Sequence, residues 1–472
     1  MGENVMKSSL KTGRKIFSRH LVFPIHESLV HRPTFSYLKE LEKTQWFSRD
    51  EIETYQMDKL KTLLQVAHDH CPWHKERIQE AGLVIDRKNV ITYSDLEQLP
   101  LMKKEDAQKN RDAMVWKKVP GGAYLYNTGG SSGKPLIFYY GRQRQASDTA
   151  GRFRAHRWWG VEVGDPEVWL WGAPVELNKT DNIKAVRDRF LNQLFLNAFE
   201  MTLEKIDSYI QAICSFKPVC IYGYATSLAL LAARARDQKV DMKLPGLKVI
   251  FSTGEPTYPH QRKTLEEVFG VPVACEFGSR DIGFTAHESP NGQMLLLSES
   301  HILEVLDQQG VPVASGQIGE AVITGLCSQA QPFIRYKTGD MVKYTEETCR
   351  EGRGLHVIGQ VAGRSTDFVV APDGRIMHAL AVIYVLRATE GVGEFKFIQH
   401  KIDEVEILIV RNRNWNGNAG EKIISGLHAR MGDSVSINIR FVDKIPAEAS
   451  GKHRYVVSHV PLPAELSVTG QQ

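Results

Sequence analysis

The sequence has no apolar run approaching the ~20 residues that a spanning helix needs, which sets aside the helical membrane classes. It has no CxxC pair. Its six cysteines, Cys71, Cys214, Cys220, Cys275, Cys327 and Cys349, are scattered over 472 residues. That excludes a disulfide framework and a zinc ribbon, and fits a reducing, cytoplasmic setting. Charge of one sign is lacking too: 59 basic and 55 acidic residues leave a formal charge of +4. So close a balance gives no electrostatic reason to expect nucleic acid as a partner. There is no internal repeat and no low-complexity tract. The stretch Met1 to Phe23 lacks the apolar middle of a signal peptide. With Lys7, Lys11, Arg14, Lys15 and Arg19 it reads as a locally packed terminus, or alternatively as an amphipathic helix lying on anionic lipid.

What is present is globular. Hydrophobic residues make up 42% and charged residues 24%, the proportions of a soluble protein, and the length asks for two cores rather than one. The first 100 residues read as a helical leader. Leu60, Leu63, Leu64 and Ala67 share one helix face, which ends near Cys71-Pro72, and Ser94 is placed to cap a short turn before Leu99-Pro100. From Tyr124 onward, apolar runs at Val168 to Gly172, Val219 to Gly223, Val249 to Gly254 and Val273 to Gly278 read as buried strands. Helical patterns at Ser208 to Cys214, Leu228 to Asp237 and His260 to Phe269 alternate with them. Such alternation implies an α/β fold with a largely parallel sheet, whose ligands sit at the carboxyl ends of the strands. After Gly363 the texture changes. Glu404 to Val410 and Val435 to Val442 alternate like half-exposed strands around a helix at Glu421 to Met431. The expected architecture is α/β: a large N-terminal domain with parallel-rich sheets (leader 1–100, core 101–363) and a small mobile α+β C-terminal domain (364–472).

Five segments carry polar chemistry. In Tyr126 to Pro135 (YNTGGSSGKP), Gly129, Gly130 and Gly133 let the backbone approach a polyphosphate. Thr128, Ser131 and Ser132 offer hydroxyls and Lys134 offers charge. It is not a Walker loop, because Thr128 and Pro135 stand where that pattern needs Gly and Ser or Thr. In Ile334 to Asp340 (IRYKTGD), an acid after a tight Gly turn can accept from two neighbouring hydroxyls, as on a ribose. In Cys275 to Asp281 (CEFGSRD), a carboxylate at a strand end can hold Mg²⁺. Gly363 to Asp367 (GRSTD) lies at the expected boundary. Ile445 to Arg454 (IPAEASGKHR) puts a lysine on a Gly-bearing loop. Taken singly, each has a plainer reading: a surface hairpin, an Asx turn, a solvated loop acid, an exposed turn.

Their joint occurrence in this order resembles the adenylate-forming (AMP-binding) superfamily. Leu63 to Leu83, followed by LPLMKKEDAQKN at Leu99 to Asn110, is similar to the leader of phenylacetate-CoA ligases. FGSRDIGFTAHES is similar to the variant in their capsule- and exopolysaccharide-associated relatives, where YGSRE is usual. The resemblance implies ATP-dependent activation of a carboxylic acid as an acyl-adenylate, release of pyrophosphate, and acyl transfer to CoA. The alternatives are an amide- or ester-forming ligase of polysaccharide biosynthesis, using an amine or hydroxyl acceptor, and a non-catalytic nucleotide-binding relative.

The resemblance also distributes roles, with ATP, Mg²⁺ and CoA as the implied cofactors. Thr128, Gly129, Gly130, Ser131, Ser132, Gly133 and Lys134 would cradle the phosphates. Phe277, Gly278 and Ser279 would flank the nucleotide, and Asp281 would hold Mg²⁺. Gly254 and Glu255 would lie along the adenine. Asp340 would bind the ribose, with Arg364 nearby, and Lys452 would bridge the carboxylate and the α-phosphate. Arg142 and Arg144 are candidates for the 3′-phosphate of CoA, against the plainer reading of solvated surface. Ile221 to Thr226, rich in tyrosine, reads as core packing or as the wall of an acyl pocket. Departures are visible: Asp281 replaces the usual Glu, Phe277 the usual Tyr, and Thr366 the usual acidic hinge residue. Some relatives carry a Cys/His metal site after the magnesium motif; His287, Glu288 and Ser289 stand there without the cysteine, so that site is not expected. His68, His70, Cys71 and His74 superficially resemble a zinc set, but Pro72 interrupts the helical spacing and a capped helix end is the better reading.

Overall fold

The structure is a computed structural model that describes residues 13, 15–86, 90–128, 136–172, 187–198, 201–254, 257–307, 309–361, 368–445 and 456–460. The leader's main helix, Arg49–His70, starts at a capping box. Ser48 accepts from the Glu51 backbone N–H at 3.3 Å, and the Glu51 carboxylate accepts from the Ser48 N–H at 2.7 Å. Its buried face carries Ile52, Leu60, Leu63, Leu64 and Ala67, and Cys71 ends it before Pro72. The short helix Tyr93–Gln98 is capped by Thr92, not by Ser94: the Thr92 hydroxyl accepts from the Asp95 N–H at 3.3 Å, and Asp95 returns the bond. The expected cap was two residues late because Ser94 already lies inside the first turn.

The large sheet has the strand order Val357–Ile358, Met294–Leu296, Gly283–Glu288, Val273–Ser279, Val249–Thr253, Cys220–Tyr224, Glu167–Trp171, Gln193–Asn197. From Val273–Ser279 to Gln193–Asn197 every pairing is parallel; the other three strands add antiparallel pairs. The helices Leu203–Phe216, Ala225–Asp237 and Pro259–Phe269 connect the parallel strands. Burial on both sides explains the unbroken apolar runs. Cys220–Tyr224 and Val249–Thr253 are buried at every position, with Ile221, Ile250, Leu228 and Leu231 in one core. Parallel pairing brings the carboxyl ends Trp171, Tyr224, Thr253 and Ser279 to one edge.

An antiparallel sheet of His301–Leu306, Ile318–Gly325, Tyr336–Lys343 and Gln360–Val361 stands beside it, and a hairpin pairs Ala123–Asn127 with Ile137–Gly141. Beyond residue 367 a separate apolar cluster includes Val382, Leu386, Phe397, Ile407, Ile423 and Leu427. Its sheet runs Ser436–Phe441, Glu404–Arg411, Val392–Lys401, Val456–Ser458, backed by helices Leu380–Ala388 and Ala419–Met431. The strand Glu404–Arg411 is central in that sheet, with Val405, Ile407, Leu408 and Ile409 buried and Glu404 and Arg411 exposed. No helix among the described residues is long and apolar enough to cross a membrane.

Candidate active site

The FGSRD segment leaves the carboxyl end of Val273–Ser279 and turns back into Gly283–Glu288. The turn is tight: a Cβ on Gly278 would meet the Gly283 carbonyl at 2.4 Å, and Gly283 has φ +96°. Only glycine fits both requirements. The turn presents Asp281, half-buried, whose two oxygens accept from different neighbours. The Ser279 hydroxyl bonds Oδ1, and the Tyr336 hydroxyl donates to Oδ2 at 2.8 Å. Phe277, Ile282 and Tyr336 sit in one apolar cluster with Phe138 and Phe333, which forms a rigid floor below the turn.

Arg144, on helix Arg142–Trp158, fixes the turn from behind. Its guanidinium donates to the carbonyls of Asp281 and Arg280, both at 2.7 Å, and approaches Asp148 at 3.6 Å. Arg144 is buried, so it does not offer the surface charge that the 3′-phosphate of CoA requires. The sequence gives little sign of this clamp, because an arginine just after a Gly-rich loop reads as solvated. Arg142 is half-buried, bonded to Gln145 at 2.7 Å and laid over the Tyr124 ring at 3.9 Å.

The neighbouring segments converge on the same place. Arg280 donates to the Asn127 carbonyl at 3.5 Å and lies 5.7 Å from the Tyr126 ring. This joins the FGSRD turn to the hairpin that bears the Gly-rich loop. Thr128 closes the described end of that hairpin. Its N–H donates to the Leu136 carbonyl at 2.9 Å, and its hydroxyl accepts from the Leu136 N–H at 3.0 Å.

In the TGD segment, Thr338, Gly339 and Asp340 form a bulge opposite Ala321, between the pairs Val322–Lys337 and Glu320–Met341. The Thr338 hydroxyl donates to the Ala321 carbonyl at 2.9 Å and accepts from the Asp340 N–H at 3.1 Å, while Gly339 takes φ +75°. Bulges re-aim side chains, and Asp340 is half-buried here. Arg335 precedes it with φ +54°, a position rare for a side-chain-bearing residue. It is held there by Glu304 at 2.6 Å and by the Leu99 carbonyl at 2.7 Å, which ties the leader to this strand.

On the adjacent strand end, Gly254 has φ +76°, and a Cβ there would come within 3.0 Å of the Tyr224 ring. Tyr224 in turn stacks on Trp171 at 4.4 Å. The tyrosine-rich strand is therefore packed core. Gly129 to Lys134, Glu255, Arg364 and Lys452 lie outside the described residues.

The HxHCxxH cluster does not assemble a metal site. His70 stacks on Trp116 at 4.0 Å, His68 pairs with Asp69 at 2.9 Å, and His74 donates to the Pro332 carbonyl at 2.9 Å. Burial pushes the His74 pKa down to about 3.

Asp281 suits a hard cation: it is a carboxylate at a strand end, half exposed and oriented by two hydroxyls.

Comparison with known proteins follows this geometry. Residues 369–459 match the family model of the CapK C-terminal domain. The chain is 26% identical over 374 residues to the protein CapK of Staphylococcus aureus, covering 78% of this chain and 82% of that one. It is 23% identical over 464 residues to a phenylacetate-coenzyme A ligase of Thermus thermophilus, covering 89% and 99%. Among solved structures it shares its fold with 2-hydroxyisobutyryl-CoA ligase in complex with 2-HIB-AMP and CoA. There the TM-score is 0.59 and the identity 21%, with 88% of this chain and 91% of that one covered. The same ligase in its postadenylation state gives a TM-score of 0.55 at 22% identity, over 88% and 90%.

Proposed function

We propose that this chain, a relative of CapK and of the phenylacetate-CoA ligases, is an adenylate-forming ligase that activates a carboxylic acid with ATP and transfers the acyl group to CoA. One observation carries the reading. Asp281 accepts from Tyr336 at 2.8 Å while Arg280 reaches the Asn127 carbonyl at 3.5 Å. Three segments distant in sequence, with the residue types that a nucleoside triphosphate asks for, thus meet at the carboxyl edge of a parallel sheet.

A carboxylate is a poor electrophile because its leaving group would be an oxide. Its oxygen attacks the α-phosphorus of ATP, the bond to pyrophosphate breaks, and a mixed anhydride results. The acceptor then attacks the carbonyl carbon and AMP leaves. Both steps crowd negative charge on oxygen, so positioned cations and donors matter more than a base.

In this reading Thr128 to Lys134 bind the β- and γ-phosphates. Asp281 holds Mg²⁺, which neutralises phosphate charge when bound. Gly254 and Glu255 line the adenine, Asp340 accepts from the ribose hydroxyls with Arg364 beside it, and Lys452 pairs with the reacting carboxylate and α-phosphate. Residues 364–472 form a lid whose rotation withdraws Lys452 and admits the acceptor. The location is cytoplasmic, where ATP and CoA are available.

A second reading keeps the adenylation and changes the acceptor to an amine or hydroxyl in a polysaccharide-assembly setting, as the resemblance of the FGSRD variant to polysaccharide-associated relatives implies. A carboxylic-acid panel in a pyrophosphate-release assay, run with and without CoA, tests the reading. Release that depends on the acid supports it, and release with no acid in the panel contradicts it. Preformed acyl-adenylate offered CoA, glycine and an amino sugar together then separates the acceptors by product mass, and a clear preference for the amine replaces CoA.

A further inference from the structure

Away from the nucleotide edge, beneath the large sheet, four polar side-chain atoms are buried without a hydrogen-bond partner: both ring nitrogens of His156, Nε2 of His287 and Oε1 of Glu276. The residues come from helix Arg142–Trp158 and from the paired strands Val273–Ser279 and Gly283–Glu288, in which Glu276 stands opposite His287. Nε2 of His156 lies 3.4 Å from Glu276 Oε1, and Nε2 of His287 lies 3.6 Å from the same oxygen. The side chains are 1–2% exposed.

Leaving polar atoms unsatisfied at such depth costs on the order of 1–3 kcal/mol each, so a missing partner is the economical explanation. The tautomer says what kind. His287 Nδ1 lies 2.7 Å from the Glu288 carbonyl, a contact that only a donor can make. In the neutral ring, Nε2 then presents a lone pair towards the Glu276 carboxylate. Two lone pairs facing each other repel unless a cation sits between them. A carbonyl fixing one imidazole nitrogen while the other faces inward is also the usual support of a metal-bound histidine. The spacings fit: donors about 2.0–2.1 Å from a tetrahedral zinc ion stand roughly 3.4 Å apart. The His156 ring is held flat against Phe251, at 3.8 Å and 9°, which sets its direction.

We propose that His156, Glu276 and His287 bind a divalent transition metal of the zinc type, in a buried site separate from Asp281 that braces the helix Arg142–Trp158 against the strands leading into the FGSRD turn. This is not the Cys/His arrangement that the sequence argues against. His287 is read there with its sequence neighbours Glu288 and Ser289, whereas its partners arrive from the opposite strand and from a distant helix. A second set, His156 with Glu167 and Cys220, shares one ligand with the first. The lone-pair argument favours the first, because it needs no thiolate: burial pushes the Cys220 thiol well above its usual range.

The test uses tag-free, full-length protein without nucleotide, stripped with chelator, re-equilibrated with ZnCl₂ and desalted. Metal analysis should find about one tightly held zinc per chain, and X-ray absorption should show only N/O neighbours at about 2.0–2.1 Å. Cobalt substitution of the wild type should give d–d bands of tetrahedral intensity, a readout that needs no variant to fold. His287→Ala and Glu276→Gln should lose the zinc at least tenfold, whereas Asp281→Ala should retain it. Wild type that holds no zinc, retention of zinc by both variants, or a sulfur neighbour at about 2.3 Å would each overturn the assignment.

Discussion

The hydroxyl of Tyr336 donates to Oδ2 of Asp281 at 2.8 Å. The first residue of the YKTGD strand thus orients the last residue of the FGSRD turn, and two segments read separately in the sequence act as one unit.

Removing that bond leaves the carboxylate in place but oriented by the Ser279 hydroxyl alone. Tyr336→Phe should lower kcat/KM for MgATP about tenfold, or ~1.4 kcal/mol, the size of a hydrogen bond to a charged group, with little change in Tm. Titrating Mg²⁺ in a pyrophosphate-release assay measures it. An unaltered magnesium dependence would show that Tyr336 serves packing alone.

Asp281→Ala should weaken magnesium-dependent activity on the order of 10²-fold, while Asp281→Glu, one methylene longer, should retain or raise it. The comparison is made at equal protein stability, checked by melting. Alanine and wild type with the same response to Mg²⁺ would remove Asp281 from the metal role.

Arg144→Met should cost about 2–4 kcal/mol of stability. The carbonyls of Arg280 and Asp281 lose their donor, and Asp148 loses its cation. Urea denaturation reads the stability, and the KM for MgATP should rise as the turn loosens. A loss below about 0.5 kcal/mol, the range of ordinary surface substitutions, would show that the turn holds without its clamp.

His301 is 2% exposed, and its Nε2 donates to the Ile282 carbonyl at 3.0 Å, supporting the same turn. Burial pushes its pKa from 6.5 down to about 4. Between those values the unfolded chain binds the proton and the folded chain does not, so stability must fall as the pH drops from 6.5 towards 4. His301→Gln should remove about one proton's worth of that slope. An identical slope in the variant would mean that His301 titrates normally.

The alternation of buried strands and helices made the parallel sheet legible, because strands covered on both faces must be apolar throughout and their connections amphipathic. The turn glycines were legible for the same local reason. Arg144, Tyr336 and Arg335 were not. Their partners lie far away in the chain, and nothing local separates an arginine that clamps carbonyls from one that is solvated. The cluster of His156, Glu276 and His287 is hidden likewise, since its donors meet only when a helix crosses two strands. Ser94 was misjudged by two positions, because a Thr and a Ser so close together compete equally for a cap until the backbone chooses.

The central claim is that the chain makes an acyl-adenylate. Acid-dependent ATP–pyrophosphate exchange, run across a carboxylic-acid panel with wild type and Lys452→Ala, measures it most directly. The account predicts exchange with at least one acid in the wild type, and a fall on the order of 10²–10³ in the variant with ATP binding largely kept. Exchange that is absent for every acid, or equally fast without Lys452, would contradict it.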